Sequence, residues 1–204
     1  MIEVYESSLE AIINKMVESI VHNFKGKTNK RPIIIGIDGR CGSGKTTIAN
    51  RISNVLDANC YHMDDFYLPI IMRTPERMSQ AGGNVHYERF LDTVIMPSVN
   101  EQSVNYQIYD CAHQTLGPAR VYEQKKWVVV EGAYALHPEL NSYYDYRIFV
   151  THSADRQRER ILKRNGEQKL YEFELRWIPL EEQYILEKKP EAICDLYIDT
   201  SNAW

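Results

Sequence analysis

The sequence predicts an α/β protein built on a parallel sheet, and two observations carry that reading. Short runs rich in β-branched residues alternate with segments whose apolar residues recur at helical spacing, and such alternation implies right-handed crossovers between parallel strands. The second observation is a glycine-rich segment, residues 39–47, that joins a buried strand to an amphipathic helix. At 204 residues the chain is long enough for one domain with a sizeable core. Its 44% hydrophobic and 25% charged content is that of an ordinary globular protein.

The elements follow in order. Residues 7–24 place Leu9, Ile12, Ile13, Met16, Val17, Ile20, Val21 and Phe24 on one helical stripe, with Ser7 or Ser8 as N-cap. Core packing explains that stripe. Residues 25–32 read as a solvated loop, so residues 1–30 form an N-terminal helix and linker. Ile33–Asp38 is a buried strand, and residues 45–56 form the helix after the glycine-rich turn. Residues 58–63 read as a second strand, residues 68–84 as a long loop, and residues 87–99 as a helix. Strands are expected at 104–109, 126–132, 146–150 and 195–199. A charged helix is expected at 154–164, and a helical stretch at 172–188 broken near Pro179.

The segment Gly39-Arg40-Cys41-Gly42-Ser43-Gly44-Lys45-Thr46-Thr47 fits the pattern of glycine, four residues, glycine, lysine, then serine or threonine. Glycines let the backbone take positive φ, so that successive N–H groups converge on an anion at the positive end of the next helix. Lys45 is placed to reach the β- and γ-phosphates of a nucleotide, and the Thr46 hydroxyl to ligate Mg²⁺. A glycine-rich turn that binds nothing is the alternative. The strand before the segment and the helix after it argue against that.

Three further features narrow the chemistry. Asp64-Asp65 stands at a strand end, where ligands of parallel α/β sheets bind. A carboxylate there can orient an acceptor hydroxyl and take its proton, although an acidic doublet can equally cap a turn. Glu131 ends the apolar run Val128-Val129-Val130, where a carboxylate serves a Mg²⁺ shell or is merely solvated. Arg156, Arg160 and Arg164 recur every four residues on one helical face, either to close on a transferring phosphoryl group or as a solvated surface. No Asn-Lys-x-Asp tetrapeptide is present for guanine recognition, and no partner domains for a motor. A small-molecule kinase is the economical reading.

With these residues in hand, the chain resembles the uridine kinase-like P-loop kinases, the phosphoribulokinase/uridine kinase family, from about residue 31 to 199. The resemblance rests on Gly39 to Thr47, Asp64-Asp65-Phe66-Tyr67, Gly83-Asn84 leading into Tyr87-Glu88-Arg89-Phe90, and Tyr109-Asp110. It continues through Val130-Glu131-Gly132, Arg160 with Arg164, and Trp177 to Tyr184. It implies a P-loop NTPase fold, three-layer α/β/α, with a five-stranded parallel sheet and a small Arg-bearing helical lid, here about residues 153–180 of a single domain. It also implies ATP or GTP as donor and Mg²⁺. Asp64 matches the family's catalytic aspartate, Thr46 and Glu131 with Asp64 its metal shell, and Arg160 and Arg164 its lid arginines. Tyr67 and Tyr109 fall in the acceptor pocket. Two positions depart from the pattern. His86 stands where many relatives carry an aspartate that grips the sugar hydroxyls, and His113 stands one position early for the histidine that often follows Tyr-Asp. A neutral imidazole accepts one hydrogen bond where a carboxylate accepts several, so His86 in that place would disfavour a ribose diol.

The expected activity is therefore ATP-dependent transfer of a γ-phosphate to a hydroxyl of a nucleoside or similar small molecule. The competing reading is a nucleotide-binding regulatory protein without turnover. A net charge of −4 gives no basic footprint for nucleic acid. No apolar run is long enough for a bilayer span, no secretory signal opens the sequence, and the four dispersed cysteines read as reduced thiols. A cytoplasmic protein without membrane partners is expected, with self-association left open.

Overall fold

The computed structural model describes residues 2–4, 8–24 and 31–203. The alternative cap Ser7 and the linker at residues 25–30 lie outside these. The central sheet contains β1 (Ile2–Val4), β2 (Ile33–Gly39), β3 (Asn59–His62), β6 (Trp127–Glu131), β7 (Tyr146–Thr151) and β8 (Leu196–Asp199). Its order is β1-β8-β7-β2-β6-β3, with every pairing parallel. Five of these strands are the expected parallel core. The sixth, β1, adds an edge beside β8 that the sequence did not announce, because three residues are too few for a period to register.

Both faces of the sheet are covered, which is why β2 reads as a continuous apolar run rather than an alternation. Ile35 and Ile37 face the layer of α1 (Leu9–Phe24) and α2 (Lys45–Leu56), packing with Ile12, Met16, Ile48 and Ile52. Ile34 faces the opposite layer, with Phe66, Phe90, Val94 and Tyr184. At the start of α1, Ser8 serves as the cap: its Oγ accepts the Ala11 N–H at 3.2 Å.

The strand expected at 104–109 forms, but outside the main sheet. Val104–Asp110 (β4) pairs antiparallel with Thr115–Tyr122 (β5) in a separate two-stranded hairpin. Its alternation is that of a ribbon with one face packed: Val104 and Tyr106 are buried while Asn105 is exposed. Residues 87–99 form the expected helix, α3, interrupted by a π-turn at Leu91–Ile95. Pro97 has no N–H to give back to the preceding turn, and the Met96 N–H instead reaches the Leu91 carbonyl.

The charged helix runs further than expected, as α4 (Ala154–Glu172), and bends at Gly166, where φ is 80°. A π-turn at Phe173–Trp177 leads into α5 (Ile178–Lys188), so the break expected near Pro179 falls at that junction. The long loop at 68–84 is tied down rather than free. Arg77 donates to the carbonyls of Gly83 and Val85 and to both oxygens of Glu88, and its guanidinium stacks on Tyr87.

Candidate active site

The order of the sheet reverses at β2, so the loop leaving its carboxyl end opens into the crevice where ligands of parallel sheets bind. Gly39 leaves the strand at φ 141°, and a Cβ there would sit 1.8 Å from the Val150 carbonyl oxygen of β7. Only glycine lets the chain turn so close to its neighbour. Gly42 and Gly44 also take positive φ, at 80° and 92°. Lys45 opens α2 with its ammonium folded back under the loop, donating to the carbonyls of Gly39 at 2.7 Å and Arg40 at 2.9 Å. The N-cap, Gly44, offers no side chain to the first-turn N–H groups. Those donors and the helix dipole therefore face the cavity, an arrangement that fits a phosphate.

A carboxylate group gathers beside that loop. The parallel registers set Ile37 of β2 and His62 of β3 on either side of Glu131. The Thr46 hydroxyl lies 3.3 Å from both Glu131 oxygens, and His62 Nδ1 lies 2.5 Å from Glu131 Oε1. That bond, and the Glu131 charge, raise the His62 pKa. Asp64, two residues beyond β3, is reached by solvent yet sunk in the cavity. Burial and the neighbouring Glu131 charge raise its pKa against the pull of Lys45. Hydroxyl and carboxylate oxygens are the donor set of a hard cation and fit Mg²⁺. Among the described residues no three His, Cys, Asp or Glu side chains are grouped to hold a metal alone. This suits Mg²⁺, which takes one or two carboxylates and completes its shell with water and substrate phosphates.

The loop and the carboxylates line one cavity of about 180 Å³. Its remaining walls are Tyr67, Asn84, Gly132, Ala133, Tyr134, Phe173, Trp177, Glu181 and Arg164. Small-molecule pockets span roughly 300–1,000 Å³, so this space suits the phosphate chain and the reacting end of an acceptor rather than a whole nucleotide. Tyr67 leans on Trp177 with ring centroids 5.8 Å apart, and its hydroxyl lies 3.5 Å from Asp64 Oδ1.

Of the expected site residues, Cys41, Gly42, Gly44, Lys45, Thr46, Thr47, Asp64, Tyr67, Glu131 and Arg164 line this cavity. Gly39, Arg40 and Ser43 shape the loop behind it. Arg40 donates to Glu182 and Thr151, and Ser43 is fully buried with its carbonyl accepting from Thr200 Oγ1. His86, Tyr109 and His113 stand outside the cavity walls. His86 caps α3 with its Nδ1 buried, Tyr109 is buried in the hairpin, and His113 is exposed on the hairpin turn against Asp110. His86 is therefore not placed to meet the reacting end of an acceptor in this cavity.

The two lid arginines separate as well. Arg160 lies behind the loop, donating to the carbonyls of Gly42, Thr200 and Ala203 and to Thr200 Oγ1. Arg164, one turn on, borders the cavity and bonds to Asn165. Arg160→Ala is expected to act on stability, by about 1–3 kcal/mol for the carbonyls left without donors. Arg164→Ala should leave the melting temperature near wild type and lower turnover. Thermal melts beside steady-state assays check the split, and the reverse pattern would return Arg160 to the site.

Sequence reasoning passed over two carboxylates. Asp38 is buried at the end of β2 and accepts from the N–H groups of Gly39, Tyr134 and Leu136 and from the Tyr184 hydroxyl. It bolts the phosphate loop to the cavity wall and to α5. Glu181 is also buried, accepting the Cys41 N–H at 2.9 Å. A signal for it existed: position 181 shares the apolar helix face of Ile178 and Ile185, where a charge has no bland reason to be.

Comparison with known proteins agrees with this geometry. The model of the phosphoribulokinase / uridine kinase family matches residues 34–176. A uridine kinase of Clostridium perfringens (strain 13 / Type A) is 31% identical over 143 residues, covering 66% of this chain and 67% of that protein. A uridine kinase of Lactiplantibacillus plantarum is 29% identical over 155 residues, covering 68% and 72%. Among solved structures, a possible uridine kinase from Bacillus stearothermophilus superposes with a TM-score of 0.68 at 20% identity, covering 94% of this chain and 99% of that one. The fold is thus a P-loop kinase fold, and no described helix is long and apolar enough to cross a membrane. With the match running through the phosphate loop, the Asp64 segment, Glu131 and both arginines, the chain belongs to the phosphoribulokinase / uridine kinase family and is a small-molecule kinase.

Proposed function

We propose that this kinase moves the γ-phosphoryl group of ATP to a hydroxyl of a nucleoside or similar small molecule. One observation carries the reading: an anion-binding loop with its lysine, an oxygen-donor set and the carboxylate of Asp64 converge on one cavity that also has an aromatic wall. In this reading the loop N–H groups and Lys45 hold the phosphate chain. Thr46 and Glu131, with Asp64, would hold Mg²⁺, which when bound would neutralise charge on the phosphate chain. Asp64 orients the acceptor hydroxyl and takes its proton, and its raised pKa brings it closer to the range where a carboxylate works as a base. Arg164 approaches the transferring group from the lid, while Phe173 and Trp177 keep water from it.

Family membership implies ATP and Mg²⁺ in general and a small-molecule acceptor. The uridine of the relatives' names is the first acceptor to try. A panel of nucleosides and simple polyols with ATP and Mg²⁺, scored by ADP release above the rate without acceptor, should show at least one acceptor raising the rate. Binding of ATP with no acceptor response would favour a regulatory nucleotide-binding protein.

A further inference from the structure

Once the phosphate loop, Mg²⁺ set and Asp64 are assigned as above, one charged group in the cavity has no task. Glu181 projects from α5 and is 6% exposed, and the surface it retains borders the cavity. One oxygen, Oε2, accepts the Cys41 N–H at 2.9 Å. The Cys41 thiol rests against the same carboxylate. Among the described residues no Lys or Arg is ion-paired with it. Arg40 is engaged with Glu182 at 2.6 and 2.9 Å, and Lys45 with two loop carbonyls. A buried carboxylate has about four acceptor sites and is costly to leave underpaired.

The groups around it narrow what can complete it. Tyr67 and Tyr134 face it from the aspartate segment and the turn after β6, and Asp38 from the end of β2. Burial raises the Glu181 pKa, and the nearby Lys45 charge offsets that push only in part. An anionic acceptor would meet Glu181, Asp64 and Glu131 as well as the phosphate chain. A carboxylate only accepts hydrogen bonds, so a molecule rich in hydroxyl donors completes Glu181 without adding charge of the same sign.

We infer that Glu181 selects the acceptor: its carboxylate receives hydroxyl groups other than the one phosphorylated, admits neutral polyhydroxylated compounds and turns away hydroxy acids and sugar phosphates. The inference rests on the kinase reading above. It places the diol-gripping carboxylate on α5, not at position 86.

The test uses the full chain with ATP and Mg²⁺. Uridine, cytidine and ribitol form the neutral arm, and glycerate and ribose 5-phosphate the anionic arm. Wild type should turn over at least one neutral acceptor and neither anion. Glu181→Gln keeps an oxygen for the Cys41 N–H but removes the charge. It should raise KM for the neutral acceptor about tenfold, the worth of a charge-assisted hydrogen bond. Turnover number and ATP affinity by calorimetry should stay within about threefold, a split that a merely structural role would not give. Glu181→Asp, if it loses the same stability, should still reject the anions better than Glu181→Gln does. Turnover of glycerate by wild type at the neutral acceptor's rate would overturn the inference, as would an unchanged KM in Glu181→Gln. If no acceptor is turned over, the reading of a nucleoside or similar acceptor fails. Calorimetry with a non-hydrolysable ATP analogue then decides separately: neutral compounds binding wild type more tightly than Glu181→Gln support the role of Glu181, and no binding overturns it.

Discussion

Lys45→Ala is expected to abolish measurable turnover. The ammonium is the cation built into the phosphate loop, held in place by the carbonyls of Gly39 and Arg40. Its loss removes positive charge where the β- and γ-phosphates are expected and leaves both carbonyls short of a donor. A single preorganised donor at developing charge is worth about 10²–10³-fold in rate, and a full charge in a site shielded from water more. Calorimetry of ATP binding beside an ADP-release assay measures it. Unchanged affinity together with unchanged turnover would mean that the loop is not the nucleotide site.

Asp64→Asn should lower kcat by about 10²–10⁴-fold, the usual contribution of a general base, with further loss from the Mg²⁺ shell. ATP binding should suffer less, because the loop and Lys45 are untouched. The direction of the pKa shift adds a check on the protein without Mg²⁺. There, burial raises the Asp64 pKa above that of an ordinary carboxylate. The same shift means that the folded protein binds more protons than the unfolded chain in that window. The ionised side chain therefore costs stability, and the cost grows as pH rises through the folded-state pKa. Asp64→Asn should accordingly melt no lower than wild type at neutral pH while being nearly inactive. A variant within about twofold of wild-type activity would point to Asp65 instead, whose backbone carbonyl and carboxylate hold Arg89 and Tyr106.

The sequence was most informative where one residue type alone satisfies the local geometry. Gly39 has no room for a Cβ beside Val150, and the spacing from it to Lys45 and Thr46 is fixed by the loop that wraps an anion. Glu131 and Asp64 were legible for a related reason: each ends a short apolar run, and parallel strands deliver their carboxyl ends to one crevice. Arg160 and Arg164 show the limit. They share a helical face, yet the bend at Gly166 and the turn containing Thr200 lie between what a period predicts and what each guanidinium touches. The hairpin was hidden because a strand's alternation says which face is buried but not which sheet it joins. His86 does not line the cavity but stands at the start of α3 with its Nδ1 buried, a placement that motif spacing alone does not show.

The pairing of β1 with β8 has a consequence for how the protein comes into being. Ile2 lies beside Leu196 and Val4 beside Ile198. On the ribosome β1 is made before every other described element and its partner β8 after them. The order of the sheet delays the assembly further, because β8 joins the rest of the sheet through β7, which pairs with β2. Contacts so distant along the chain form late and slowly. During synthesis β1 must wait beside a growing sheet whose edge is not yet its own, although α1 can already pack on β2 and α2. That interval is where a nascent chain would most need protection from pairing with another strand.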